Sequence, residues 1–284
     1  MINSITNLIF LPLILLSFNL LAMTIHTTET NTMDMQDEEK FIYLEVYGEG
    51  SHVEVRLNDI PVTTLKTNTT ETGYGNSYTQ AQYFVMPGIN TLSVYPLTNK
   101  GKTFIRLVNF TKADGSTARD KGETLIKIEI DNNDTPVHKE VTLASDRKNW
   151  SWMEVDQINN KKDKEEARSF ATSFYKTMVS GDIQNMIIAM DPILNYKITA
   201  KPETKKETLI TEITKGLSMA FNDECIFDDI NTISIDLVPI ANGKLFLVKR
   251  KDGTTLFRTS DKSEFIVGFK DIIGRKNGVW QFYH

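Results

Sequence analysis

The sequence predicts two domains: an all-β sandwich, Ig-like or jelly-roll-like, followed by an α+β cone in which three helices pack against a curved antiparallel sheet. Three observations carry this. From Phe41 to Leu143, short runs of alternating apolar and polar residues are separated by turn residues, with no helical period; six or more strands over about a hundred residues is a sandwich pattern. From Asp163 to Ala220, apolar residues recur at the three-and-four spacing of helices. After Phe221 the period falls to two, the mark of sheet. A chain of 284 residues, 40% of them hydrophobic, is long enough for two cores of ordinary size.

The first element is an apolar run, Leu8 to Ala22, interrupted by Pro12, Ser17 and Asn19. As a helix it would reach about 22 Å, short of the ~30 Å hydrocarbon core of a bilayer. Residues 1–22 therefore read as a secretory signal with Ala22 as a cleavage position. No Lys or Arg precedes Lys40, which keeps a short uncleaved anchor as the alternative, and no cysteine lies near the cut to carry a lipid. Residues 23–40, rich in Thr, Asp, Glu and Asn, read as a disordered tail. The sandwich is assigned to residues 41–144. Its strands are read at Tyr43 to Tyr47, Val53 to Leu57 with the turn Asn58-Asp59 after it, Tyr83 to Val85, Thr91 to Tyr95, Phe104 to Phe110 and Thr124 to Ile130. Residues 145–162 form a linker in which Trp150 and Trp152 fall on one side of an extended segment and pin one domain to the other.

The second domain is assigned to residues 163–284. Asp163 and Glu166 cap a first helix whose stripe is Ala167, Phe170, Ala171, Phe174 and Met178, and Gly181 ends it. Asp182 caps a second helix through Met190, and Asp191-Pro192 ends that one. Tyr196 to Thr199 reads as a short strand. Pro202 opens a third helix with an apolar stripe at Ile210, Ile213, Leu217 and Ala220. Ile233, Ile235 and Leu237 then alternate with polar residues. Asn242-Gly243 and Asp252-Gly253 mark tight hairpins, and a meander continues from Glu264 to Ile273, turns at Lys276-Asn277-Gly278 and closes with Val279 to Tyr283.

Phe174-Tyr175 with Ser180-Gly181-Asp182 and Ile187-Ile188-Ala189-Met190-Asp191 resembles the opening of nuclear-transport-factor-2-like domains, the fold of ketosteroid isomerases and polyketide cyclases. Asn277-Gly278-Val279-Trp280 is similar to that family's last hairpin. The resemblance covers roughly residues 160–284. In the enzymes of this family it would imply a tyrosine from the first helix donating to a substrate carbonyl, a role matched by Tyr175, and a carboxylate after the second helix moving the proton. The stretch Asn195 to Ala200 holds no acid, which leaves Asp191 or Asp236 for that role. Tyr175, Tyr196, Arg258 and Trp280 are the candidate pocket residues.

The four histidines, His26, His52, His138 and His284, have no metal-ligand spacing, and Cys225 is alone, so neither a metal nor a cofactor is implied. Asp223-Glu224 and Asp228-Asp229 read as a solvated acidic turn. Asn-x-Ser/Thr triplets occur at Asn68, Asn109, Asn133 and Asn149 at a frequency that chance explains. A formal net charge of -5 without a basic stripe argues against a nucleic-acid partner. Abundant Lys, Asn and Ile with little Arg fit an AT-rich bacterial genome. The sequence thus supports an exported bacterial binding protein without catalytic activity, periplasmic or secreted, touching membrane only through its N-terminal segment. Its partner is read as a protein, with a toxin or effector that it would neutralise among the options, or as a small apolar ligand. The family resemblance also permits a homodimer. The alternative is a small-molecule isomerase or dehydratase acting in the cone.

Overall fold

The computed structural model describes residues 40–67, 73–111, 121–131, 135–144, 150–158, 160–200, 204–221, 225–263, 266–269 and 271–283. The candidate signal, the tail before Lys40, Pro202, Asp223-Glu224 and His284 lie outside them. The chain divides into two compact units at Asn149/Trp150, and its described residues form three antiparallel sheets and four α-helices.

The N-terminal unit holds β1 (Lys40–Glu49), β2 (His52–Leu57), β3 (Ile60–Lys66), β4 (Tyr74–Gln80), β5 (Gly88–Pro96), β6 (Lys102–Thr111), β7 (Glu123–Asp131) and β8 (Val137–Leu143). They pair in two sheets of order β4-β1-β6-β7 and β3-β2-β5-β8. One apolar cluster draws on both: Ile42, Leu44 and Val46 of β1 and Ile105 and Leu107 of β6 from the first, Val53, Val55, Leu92 and Val94 from the second. Because side chains alternate along a strand, burying these residues sends Tyr43, Glu45, Tyr47 and Glu49 to the opposite face. The turn Asn58-Asp59 forms as its sequence predicts, with both residues at positive φ, 53° and 64°. Tyr83 and Phe84 lie in a turn rather than a strand, while β3, β4 and β8 are strands that the alternation did not single out.

Two asparagines close the end of the second sheet. Asn58 donates to Phe84 O at 2.7 Å and to Asn90 Oδ1 at 2.8 Å, and its own Oδ1 accepts from Thr91 N at 3.0 Å. Asn90, fully buried, accepts from Met86 N at 2.8 Å and donates to Met86 O and Gly88 O. On the first sheet Glu45 lies opposite Arg106 and takes its Nε at 2.8 Å, with both side chains buried; Arg106 also donates to Lys121 O at 3.0 Å.

The C-terminal unit holds α1 (Lys161–Val179), α2 (Ile183–Ala189), α3 (Asp191–Ala200), α4 (Lys206–Ala220), β9 (Ile235–Ile240), β10 (Leu245–Arg250), β11 (Ile272–Lys276) and β12 (Val279–Phe282), with sheet order β12-β11-β10-β9. The expectation of three helices is corrected to four. The second helix ends before Asp191-Pro192 as expected, but the same dipeptide starts a further helix, α3, where proline's fixed φ and missing N–H are harmless in a first turn. Tyr196 to Thr199 is accordingly helix, held by the Asn195 to Asp191 hydrogen bond of 2.8 Å one turn back. Asn160, not Asp163, caps α1: Asn160 Oδ1 accepts from Asp163 N, and Asp163 Oδ2 accepts from Asn160 N.

In the sheet, Asn242-Gly243 makes the β9–β10 hairpin and Asn277-Gly278 the β11–β12 hairpin, all four residues at positive φ. Asp252-Gly253 turns the chain for a single bridge, Lys249 to Thr255, and no continuing strand follows it. The neighbour of β10 on that side is β11, through Leu247↔Ile272, and Val248 N donates to Asp271 O. The long strand read from Glu264 is therefore shorter, with regular pairing only from Ile272.

Removing the Asn90 side chain leaves the Met86 N–H and one N–H of the Asn58 amide without their partner in a partly buried site, which costs about 2 kcal/mol. Asn90→Ala is expected to lower the urea midpoint accordingly with an unchanged slope. A loss below about 0.5 kcal/mol would show that these groups find other partners.

Candidate functional site

The interior of the C-terminal unit is built from aromatic rings. Phe174 of α1 lies 4.5 Å from the Phe282 ring, 4.9 Å from Phe269 and 5.3 Å from Phe257, and Phe170 joins Phe282 at 5.6 Å. Tyr175 is fully buried beside this cluster. Its hydroxyl donates to the backbone carbonyl of Asp228 at 3.0 Å, and burial pushes its pKa up.

The carboxylate that acts on Tyr175 in this network is that of Asp228. Asp228 Oδ1 accepts from Ser260 Oγ at 2.7 Å and Oδ2 from Arg250 Nη1 at 2.5 Å; the Ser260 hydroxyl and the Arg250 guanidinium hold its pKa below the usual carboxylate range. Arg250 also reaches the Arg258 carbonyl at 3.4 Å, and Arg258 pairs with Asp261. An ionised carboxylate neutralised by a guanidinium is a weak proton acceptor, and a phenol already donating to a main-chain carbonyl is not presented to a ligand. Tyr175 thus ties Asp228 to α1, and the segment from Ile226 to Ser263 is closed on itself: Ser260 N and Ser263 Oγ both donate to Ile226 O.

The other sequence-predicted residues lie apart from Tyr175. Asp191 sits in the first turn of α3, paired with Lys206 at 2.6 Å. Asp236 is exposed on β9, because Leu237 takes the buried position. Tyr196 packs on Trp150 at 4.6 Å within the same unit. Trp280 stacks on Phe246 at 6.1 Å with the Arg275 guanidinium 5.6 Å from its ring. Arg275 binds Asp163 at 2.6 Å, Glu166 at 3.1 Å and Asp156 at 3.2 Å, tying the start of α1 to the sheet. Among the described residues, no group of three or more His, Cys, Asp or Glu is placed to hold a metal ion, and no helix is long and apolar enough to cross a membrane. Asn109 is buried and donates to Glu123, which removes it as a glycan acceptor in the folded chain; Asn68, Asn133 and Asn149 lie outside the described residues.

The open site lies in the N-terminal unit, on the face of β4-β1-β6-β7 away from the core. Register places two rows side by side across the four strands: Asn76, Tyr47, Phe104 and Glu129, then Tyr74, Glu49, Lys102 and Asp131. These eight residues line a groove of about 720 Å³. Tyr47 stands edge-on to Tyr78, 5.7 Å between centroids at 87°, and 6.0 Å from Phe104; the Tyr47 and Tyr78 hydroxyls are hydrogen-bonded. Tyr74 is 75% exposed and Tyr78 41%, so with Tyr47 and Phe104 the rings form one contiguous patch on the sheet surface. Lys127 Nζ lies 5.1 Å from the Phe104 centroid and pairs with Glu129 at 2.7 Å, an ion pair that lowers the Glu129 pKa.

Sequence reasoning missed this groove because β4 carries Gly75, Asn76 and Ser77 between its tyrosines and did not read as a strand. A signal was present in the alternations Tyr43-x-Glu45-x-Tyr47-x-Glu49 and Lys102-x-Phe104-x-Arg106, which put rings and charges where a solvent face carries small polar groups. In comparisons with known proteins, the chain matches no family model, no curated protein and no solved structure.

Asp228 is ionised more readily folded than unfolded, so it contributes stability above its ordinary value of 3.8 that is lost as pH falls through its lower folded value. Asp228→Asn is expected to flatten the acid limb of a plot of urea midpoint against pH. Parallel limbs for the two proteins below pH ~4 would show that the Arg250 and Ser260 contacts do not favour the anion.

Proposed function

We infer that this chain is an exported bacterial binding protein without catalytic activity, whose N-terminal unit is a β-sandwich presenting the aromatic groove and whose C-terminal unit is a nuclear-transport-factor-2-like cone. The groove carries the reading. It is concave, exposed, and combines three ring faces with Asn76, Glu49, Lys102, Glu129 and Asp131, the mixture of apolar wall and few oriented polar groups that ligand sites use. Two core-facing strand sets on one apolar cluster support the sandwich. Four antiparallel strands whose Leu237, Phe246, Val248, Ile273 and Phe282 share a cluster with Ala171, Phe174, Met186 and Leu217 of the helices support the cone.

Binding is favoured over isomerase or dehydratase chemistry by the state of Tyr175. Its hydroxyl is engaged by Asp228 O, rings of Phe174, Phe257, Phe269 and Phe282 fill the space beside it, and Asp191 and Asp236 belong to the surface. Export rests on the apolar segment Leu8 to Ala22.

Fractionation of bacteria producing the full chain is expected to find it outside the cytoplasm, without its first residues. A small-molecule extract of the same compartment, added to isotope-labelled protein, is expected to move amide resonances of β1, β4 and β6, and Tyr74→Ala should abolish the shifts. Retention in the cytoplasm with an intact N-terminus overturns the export reading. Resonances that do not move, or shifts gathered around Tyr175 and Asp228 and lost in Tyr175→Phe, overturn the binding reading.

A further inference from the structure

The groove's chemistry narrows its ligand, and this step rests on the groove being the binding surface. Its rows carry three carboxylates, Glu49, Glu129 and Asp131, against one lysine, Lys102, and Lys127 joins from the neighbouring row through Glu129. Phosphate-bearing ligands and nucleic acids are disfavoured, since they need an excess of positive charge. A free organic cation finds its obvious seats taken. The ammonium of Lys127 already lies over the Phe104 ring, and Lys102 stands between Glu49 on one neighbouring strand and Asp131 on the other. A lipid or other fully apolar ligand would bury Asn76 and the charges of Glu49, Lys102 and Asp131 while offering them no hydrogen-bond partner of its own.

What remains is a neutral molecule with one apolar face and a periphery rich in hydroxyls. We propose that the groove binds a neutral oligosaccharide, whose ring C–H face lies on the exposed Tyr74 and on Tyr47, and whose hydroxyls meet the polar members of the two rows. Hydroxyls donate and accept, so they need a rim that does both. Glu49 and Asp131 accept only, Lys102 donates only and Asn76 does either, all within one end of the sheet. Four strands span about 14 Å, a width suited to a short chain of sugars rather than to a single one. The rings come from paired strands rather than from a loop, so they are held in place before the ligand arrives and little ordering entropy is lost on binding.

The test is isothermal titration of the full chain with maltotriose, cellotriose and chitotriose (the N-acetylated trimer), and with spermidine as an organic cation. At least one trisaccharide is expected to bind saturably, with an affinity unchanged between low and high salt. Tyr74→Ala should weaken it about tenfold or more, the scale of a lost ring contact, and Asn76→Ala should weaken it as well. Tyr74 is three-quarters exposed, so its removal leaves the fold intact, and Val279→Ala, an exposed site on β12, should leave binding unchanged. The proposal is overturned if none of the three sugars binds, if binding survives Tyr74→Ala and Asn76→Ala together, or if spermidine alone binds and salt abolishes it. Each of these outcomes leaves the binding reading standing if extract-induced shifts still map to β1, β4 and β6, so the two can fail separately.

Discussion

Strand alternation in the N-terminal unit is the constraint from which the groove follows. Ile42, Leu44 and Val46 must reach the core they share with Ile105 and Leu107, and a period of two leaves Tyr47 and Glu49 no direction but outward. Antiparallel register then decides what stands beside them. Tyr47 faces Asn76 on one side and Phe104 on the other, and Glu49 faces Tyr74 and Lys102. A slip of one residue in β1 would put Tyr47 into the core and Val46 into the groove, so the energy that fixes the core also fixes the site. The geometry of the groove and the stability of the sheet are for this reason one property.

Buried polar groups explain why this register is single-valued. Glu45 and Arg106 face each other in the middle of the same sheet with both side chains buried, and the pair forms only when β1 and β6 are in register. Such a pair adds little net stability, because desolvation consumes much of the attraction, but a mispaired state would strand both charges at a cost of several kcal/mol. Asn58 and Asn90 act in the same way at the end of the second sheet, where five hydrogen-bonding groups from the loop and from β5 converge on two amides. The sequence clue was the positive-φ turn at Asn58-Asp59. The role of Asn58 beyond that turn depends on contacts 26 and 32 residues away, which no local pattern displays.

The coarse division was legible because it rests on period alone: alternation before Leu143, helical spacing to Ala220, alternation again after it. What failed did so for identifiable reasons. Tyr196-Lys197-Ile198-Thr199 has β-branched and aromatic residues in alternation, yet Pro192 in a first turn and the Asp191–Asn195 hydrogen bond commit the segment to helix. β4 has weak strand propensity and is held by its neighbour, since Tyr43 to Glu49 pairs along its whole length. The site was less legible than the fold. Tyr175 was reached through the family resemblance, but its partner Asp228 lies 53 residues later in a segment without regular structure. The groove joins residues from four strands spread between Tyr47 and Asp131, so it exists only once pairing is known.

The contrast between the two units turns on where each places its aromatic residues. In the C-terminal unit α1 directs Phe174 and Tyr175 toward the sheet, and Phe257, Phe269 and Phe282 converge on them, so that ring-on-ring packing does the work of a core. A phenol in that position must satisfy its hydroxyl locally, and the Asp228 carbonyl does so. In the N-terminal unit the core is aliphatic, made by Ile, Leu and Val, and the rings of Tyr47, Tyr74 and Phe104 stand on the other face of the sheet. Aliphatic side chains fill the space beneath that sheet without them, so packing there does not require the three rings. Large rings kept at a surface where the core has no use for them, with polar groups of both donor and acceptor character beside them, are what the proposed binding role accounts for.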